Sequence, residues 1–442
     1  DGFKENKKDK LMVNYRTNIK LFRWLDFNFS GMVQYNNIKN SGMNSSASTA
    51  YGDISSLSPY DMLVDENGER TRLCGSFYTP ILERYIPTAS FPYADWSYNP
   101  ITEIENRDLG RKELNTRVQG GFTVRFLEGL TFDTKFQYEQ YSTNTQNVLN
   151  ENTYYVRQLI NTTSSWNQET GKVTPNLPKG GIKDQSKTEI RAYNWRNQLN
   201  FVRTFADRHD VNVIAGMEVS DRVRESTTYA RTYGYNDETL SVGVFPNGPT
   251  GTKNWMGNSN GTFGYTNSYS YSTDRYFSLY ANAAYTFDEK YTVSGSVRTD
   301  ASNLITDDPK YRYSPFWSLG LGWQIGKENF MAGIDWLDRL NIRATYGYNG
   351  NVDKSTSFRP LISVNATQNT YTHDFTASIS SYGNPSLRWE KTGTWDLGID
   401  YSVLAGKLYG KIDVYNKLGK DLIASMTIPS VNGTSSQKLN AA

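Results

Sequence analysis

Polar and apolar residues alternate along this chain with a period of two, in paired runs joined by short links. Leu11, Val13, Tyr15, Ile19 and Leu21 are interleaved with Asn14, Arg16, Asn18 and Lys20. After a link at Arg23 and Trp24, Leu25, Phe27, Phe29, Gly31, Val33 and Tyr35 alternate with Asp26, Asn28, Ser30 and Gln34. Successive side chains of a strand point to opposite faces, so each run has one apolar and one polar face. The same paired pattern recurs over Leu114–Phe126 and Leu130–Tyr138, Tyr193–Phe201 and Val211–Val219, and Phe277–Phe287 and Tyr291–Val297. It returns over Trp317–Ile325 and Leu340–Tyr348, and over Trp389–Tyr401 and Leu408–Val414. The reading is about twelve strands in six hairpins. The link of the fifth hairpin, around Gly326 to Asp338, is longer and has room for a helical turn.

The connections alternate as strictly as the residues. Links within hairpins are short, whereas those between hairpins run roughly Asn36 to Arg111, Gln140 to Ala192, Asp221 to Arg275, Thr299 to Phe316 and Asn349 to Asn384. Structureless loops beyond about 15 residues argue against a compact soluble domain. Short turns on one side and long loops on the other are what an outer-membrane barrel has. The polar set is heavily charged, as a wet lumen requires, and aromatics gather near the ends of the apolar set, as at the two interfaces of a bilayer. The pattern therefore predicts an all-β chain: an antiparallel transmembrane β-barrel wall in a Gram-negative outer membrane. Phe27, Phe122, Phe132, Val213, Leu319, Ile342 and Leu397 are expected to face lipid, and Asn28, Arg117, Asp133, Lys135, Arg343 and Asp396 the lumen.

Composition agrees. Hydrophobic residues are only 37% of the 442, yet there are 32 Tyr, 20 Phe and 10 Trp, too many aromatics for a disordered chain. Tyr suits a half-wet sheet because it offers an apolar ring and a polar tip. A net charge of +2 gives no footprint for nucleic acid. The lone Cys74 rules out a disulfide framework within the chain and a CxxC zinc site. No run approaches the roughly 18 apolar residues of a transmembrane helix, but barrel strands of about 10 alternating residues escape that test. Asp1 and the closing Asn440-Ala441-Ala442 read as cut ends, so residues 1–442 are taken as one partial barrel domain.

Chemical motifs are sparse. Gly257-Asn258-Ser259-Asn260-Gly261 matches GxSxG, but a nucleophile elbow needs a strand before and a helix after. The surrounding Gly/Ser/Asn/Tyr tract offers neither, and only His209 and His373 are available as bases. There is no HExxH and no phosphate loop, so no catalytic residue, metal or cofactor is assigned. Gly320 and Gly322 lie inside an alternating strand, where Gly marks a bend or close approach. Asp65-Glu66-Asn67-Gly68-Glu69 offers oxygens to Ca²⁺ but is too short for an EF-hand, and a solvated turn accounts for it. The long loops carry Tyr51, Tyr60, Tyr78, Trp96, Tyr98, Trp166, Trp255, Tyr265 and Tyr271. Such rings either stack on sugars or peptide side chains or form small cores for the loops themselves. Trp96, Tyr98, Trp166 and Trp255 are the candidate substrate contacts.

Several strings resemble the SusC/RagA family of TonB-dependent transporters from Bacteroidetes. Tyr291-Thr292-Val293-Ser294-Gly295-Ser296-Val297-Arg298-Thr299-Asp300-Ala301-Ser302 is similar to the family's "Y-x-x-x-x-S-x-R-x-D-G/A-S". Residues Pro315 to Trp323 and Leu340 to Asn351 resemble "P-S-x-S-x-G-W" and "L-R-x-S-Y-G-x-x-G-N". Asn384 to Thr392 resembles "N-P-x-L-K-W-E", and Asp413 to Ile423 resembles "D-Y-Y-x-x-x-x-x-D-L-[IL]". The match is specific from about 275 to 425 and diffuse before. It implies a barrel of 22 strands, an N-terminal plug, a TonB box and a SusD-like surface lipoprotein as lid. No plug or TonB-box string is visible here, and the first and last strands are expected to lie outside the chain. The resemblance implies import of oligosaccharides, with oligopeptide import of the RagA type as the alternative. A non-transporting β-rich adhesin or binding protein is the reading from another class.

Overall fold

The computed structural model describes residues 6–40, 57–306 and 308–441. Its main element is one antiparallel sheet in which twelve strands pair in strict sequence order. These are β1 (Lys7–Phe22), β2 (Leu25–Asn40), β3 (Arg107–Leu127), β4 (Leu130–Leu149), β5 (Gly181–Phe205) and β6 (His209–Thr228). They continue as β7 (Ser268–Phe287), β8 (Tyr291–Ser302), β9 (Ser314–Gln324), β10 (Leu337–Asn351), β11 (Glu390–Val403) and β12 (Leu408–Lys420). A short strand, Thr232–Tyr235, pairs beside the start of β5. This is the up-and-down order the hairpin pattern predicts, and the strand pairs are the expected ones. The link of the fifth hairpin holds two 3-10 turns, Ile325–Lys327 and Asn329–Met331.

The register keeps the two faces apart across the whole sheet, because directly paired residues share a face. Phe27 pairs with Phe122, Phe132 with Leu199, Val213 with Phe201, Gly295 with Leu319 and Ile342 with Ile399. On the other face Asn28 pairs with Gly121, Arg117 with Glu139, Asp133 with Thr123 and Arg343 with Gly398. Among the described residues no second layer covers the apolar face: Phe122, Leu319 and Leu397 stay 41%, 50% and 45% exposed. Aliphatic and aromatic side chains left uncovered along twelve strands fit a wall solvated by lipid, where backbone groups must all pair between strands.

The strands run further than the alternation. β3, β4 and β5 contain 21, 20 and 25 residues, so β5 is about 80 Å long against a hydrocarbon core of about 30 Å. The loops expected from Gln140 to Ala192 and from Asp221 to Arg275 are correspondingly shorter. Once a hairpin leaves the bilayer both faces are wet, so period two vanishes from the sequence while the hydrogen-bond ladder continues. Thr143-Asn144-Thr145-Gln146-Asn147, paired with Thr188 back to Asp184, is such a stretch.

The loops also have structure of their own. α1 (Thr79–Tyr85) and α2 (Pro100–Glu105) lie between β2 and β3, and α3 (Tyr154–Thr163) between β4 and β5. Asn99 caps α2 by accepting from the Ile101 N–H, and Thr153 caps α3 by accepting from the Val156 N–H. The Asn349–Asn384 loop contains a hairpin, Leu361–Gln368 with Phe375–Ser381. The dry cores lie where these loops pack on the ends of the strands, not on the apolar face of the sheet. Val156 and Ile160 of α3 pack with Leu109, Leu149, Leu177, Ile182, Tyr233 and Phe263. Ile305, Phe316, Leu387 and Trp389 form a second core, and Leu82, Phe91 and Trp96 a third.

Candidate functional site: the lumen wall and its outer loops

The polar face of the sheet carries several hydrogen-bonded groups of charged and amide side chains. Asp133 accepts from the Thr123 hydroxyl and, at 2.6 Å, from the Asn200 amide. Gln198 donates to Asn200, and Arg196 donates to Gln198 and, through Nε at 2.8 Å, to the Tyr280 hydroxyl. Arg298 reaches Asp300 at 2.9 Å and Ser278 at 3.0 Å. Further round, Arg343 sits among three carboxylates: Asp400 at 3.0 Å, Asp413, and Asp396 at 3.9 Å. Gly398 makes room for this, because a Cβ there would lie 2.6 Å from Arg343 Nε. Residues of this kind on every second position cannot face lipid; they line water.

The four candidate substrate contacts do not behave alike. Trp96 stands 5.6 Å from Trp255 and 5.3 Å from Phe91, and Phe91 stands 6.4 Å from Trp166. Phe77 closes the group, 5.5 Å from Trp255. Three of the four thus meet in one aromatic cluster, while Tyr98 packs apart from it, 5.5 Å from Tyr154. Trp96 and Tyr98 are only 3% and 6% exposed, so they form loop core, and Trp166 and Trp255 are the half-buried members. The Trp96 and Trp166 indole N–H groups are buried and have no hydrogen-bond partner among the described residues. Among the other aromatics expected in loops, Tyr60, Tyr78 and Tyr265 are exposed, Tyr271 is exposed but lies in β7 paired with Glu225, and Tyr51 lies outside the described residues.

α3 fixes this cluster through groups that no sequence motif announces. Arg157 donates to the Asp95 carbonyl at 2.9 Å, to the Asp95 carboxylate and to the Ser97 carbonyl at 3.0 Å. Burial raises the Asp95 carboxyl, but the Ser97 N–H and hydroxyl, with Arg157 and Arg72, outweigh it and hold it below the usual carboxylate range. Glu103, almost wholly buried, accepts from the Tyr154 N–H at the start of α3. There burial dominates and lifts the carboxyl above its ordinary value, against that N–H and the charges of Arg107 and Arg157.

The remaining motif residues are scattered. Gly257 and Gly261 adopt positive φ in an irregular loop, with neither strand nor helix about Ser259. His209 lies at a short-turn end of the sheet, its Nδ1 2.8 Å from the Tyr285 hydroxyl, whereas His373 lies in the hairpin loop of the opposite rim. Asp65 turns its carboxylate on the backbone N–H groups of Asn67 and Glu69, both at 2.9 Å.

The family model for "TonB dependent receptor-like, beta-barrel" matches residues 44–441. The chain is 27% identical over 285 residues to TonB-dependent receptor P26 of Formosa agariphila, covering 63% of this chain and 27% of the relative. It is 32% identical over 157 residues to TonB-dependent receptor SusC of Bacteroides thetaiotaomicron, covering 34% and 16%. Among solved structures, the RagAB peptide importer in its closed-closed state superimposes with a TM-score of 0.74 at 19% identity, over 98% of this chain and 43% of that one. The chain spans about a third or less of the length of the curated relatives it matches. With an unbroken twelve-strand sheet, one lipid-suited face and one charged face, this chain belongs to the TonB-dependent receptor-like β-barrel family and forms part of an outer-membrane barrel wall.

Proposed function

We propose that the chain is a wall segment of an importer that takes up oligosaccharides, driven through TonB and working with a SusD-like surface lipoprotein. The observation that carries the sugar reading is the aromatic cluster of the outer loops. Its half-buried rings, Trp166 and Trp255, offer apolar ring surface to the C–H faces of sugars. Trp96 backs these rings, and Tyr98 packs apart from them against Tyr154, so neither touches cargo. The similarity to SusC supports the same class. Oligopeptide import is the second reading, favoured by the likeness to the RagAB peptide importer.

Uptake by the parent organism carrying Trp166→Ala and Trp255→Ala tests the assignment. Loss of glycan uptake, with the barrel still present in the outer membrane, is expected. Intact glycan uptake with lost growth on oligopeptides supports the second reading. The partner is tested by purification from outer membranes in mild detergent; recovery of no second protein counts against the lipoprotein.

A further inference from the structure

At the outer rim β7 outruns one of its two neighbours. On one side it pairs with β6 along its whole length, from Ser268 opposite Thr228 to Phe287 opposite His209. On the other side the pairing with β8 starts only at Tyr276, opposite Ser302. There β8 ends and Asn303 caps the ladder. Its N–H donates to the Arg275 carbonyl at 3.3 Å, and its side chain accepts from the Arg275 N–H at 2.8 Å and donates to the Thr273 carbonyl at 2.9 Å. Ser268 to Thr273 thus form an edge strand, laddered on one side only.

In an antiparallel ladder the backbone groups of alternate residues point to the same neighbour. Arg275 and Thr273 point to Asn303, so Tyr271 and Tyr269 point the same way. Among the described residues the Thr273 N–H, and the N–H and carbonyl of both Tyr271 and Tyr269, have no partner. Edges of this kind are ordinarily blunted by Lys, Pro or a bulge. Ser268-Tyr269-Ser270-Tyr271-Ser272-Thr273 contains no charge and no Pro, and its register with β6 is unbroken. The edge lies beyond the lipid-facing band, which ends at Val219 and Phe277 and is closed by the Arg275–Asp221 ion pair at 3.0 Å. Tyr269 and Tyr271 project on the same outward side and are 73% and 64% exposed.

A row of main-chain donors and acceptors at ladder spacing selects an extended polypeptide, which meets every group in turn; sugar hydroxyls and lipid tails do not repeat at that interval. Exposed Tyr beside it suits a protein interface. The position, outside the wall and above the bilayer, is one that a second surface protein reaches and that cargo in the lumen does not.

We propose that an extended segment of the surface lipoprotein adds as a strand to the Ser268–Thr273 edge, bonding to Tyr269, Tyr271 and Thr273. The proposal rests on the lipoprotein partner proposed above and adds where it docks and through which groups.

The test is amide hydrogen exchange, resolved by residue, in the complex recovered from outer membranes in mild detergent and in the full-length protein freed of its partner. The N–H groups of Tyr269, Tyr271 and Thr273 are expected to exchange about ten-fold or more slowly in the complex, while those of Ser270 and Ser272, already bonded to β6, change little. Tyr271→Pro removes one free-side N–H without touching the ladder to β6, whereas Tyr271→Thr keeps it and removes the ring. The Pro variant, its folding checked by heat-modifiable gel mobility, is expected to lose the lipoprotein and the Thr variant to keep it. If the Pro variant does not fold, exchange alone decides. Equal exchange in the complex and the freed protein, or a folded Pro variant that keeps the lipoprotein, overturns the docking edge and leaves the partner standing. Loss from both variants assigns docking to the ring and overturns strand addition. Slow exchange in the freed protein that disappears on dilution assigns the edge to a second copy, and slow exchange produced by added oligopeptides assigns it to cargo; either overturns the proposal. Recovery of no lipoprotein with the wild type overturns the partner reading itself, and this proposal with it.

Discussion

The Trp323 indole N–H donates to the Glu328 carboxylate at 3.0 Å, tying the end of β9 to the turn that follows it. The Tyr291 hydroxyl donates to the same oxygen from β8, and Lys290 stands 3.7 Å from the other. Tyr291 and Trp323 stack at 6.4 Å on the outward face, so Glu328 anchors the polar tips of a short-turn aromatic belt.

This convergence has a pH dependence. The Tyr291 and Trp323 hydrogen bonds, with Lys290, hold the Glu328 carboxyl below its usual range. A carboxyl depressed in the folded state stabilises it above the unfolded value of about 4.3, and that contribution is lost as pH falls through the folded value. The heat-modifiability midpoint of the full-length protein is expected to fall on acidification through this window, and Glu328→Gln to flatten the dependence. An identical pH profile in the two proteins contradicts the role assigned to Glu328.

Arg157 organises the outer aromatic cluster from α3. Arg157→Ala takes the side-chain donor from two carbonyls and one of several donors from the half-exposed Asp95 carboxylate, at a cost of about 1–3 kcal/mol of local stability. Hydrogen exchange is expected to rise over residues 88–99 and to stay unchanged in β3 and β4 away from the loops. Unchanged exchange over 88–99 shows the cluster to be held by its rings alone.

Gly75 allows close approach of an aromatic ring. A Cβ there would meet the Tyr154 ring at 2.3 Å, where Tyr154 also accepts from the Ser76 N–H at 2.7 Å. Gly75→Ala is expected to cost about 1–3 kcal/mol and to open the Tyr98–Tyr154 contact. Limited proteolysis between α1 and α3 reads this directly; wild-type resistance in the variant contradicts it.

Where the chain crosses lipid, the fold was legible because one face had to be apolar. Phe27, Phe122, Leu319 and Leu397 could be placed from period two alone, with their polar neighbours opposite. Beyond the bilayer that constraint ends. Thr143 to Asn147 and Asp184 to Thr188 are polar on both faces and read as loop, although they are ladder. α3 was hidden for a related reason: Val156 and Ile160 are only one turn's worth of helical period. The aromatic cluster was legible as composition but not as geometry. Nothing in the sequence separates Trp96, sealed by Phe91, from Trp166 and Trp255 at its margin. Arg157, far from Asp95 in sequence, carried no signal, whereas the lumen residues Arg196 and Arg298 could have been found as charges on the inward positions of alternating strands.

Spin labels test the wall directly. On a Cys74→Ser background, single cysteines at Leu319 and Leu397 and at Arg117 and Asp396 are labelled in the full-length protein reconstituted in bilayers, and relaxation by oxygen is compared with relaxation by a water-soluble nickel chelate. Oxygen is expected to dominate at 319 and 397 and the chelate at 117 and 396. Chelate access at all four positions, or at none with all four immobilised as in a protein core, would contradict a barrel wall with one face in lipid and one in water.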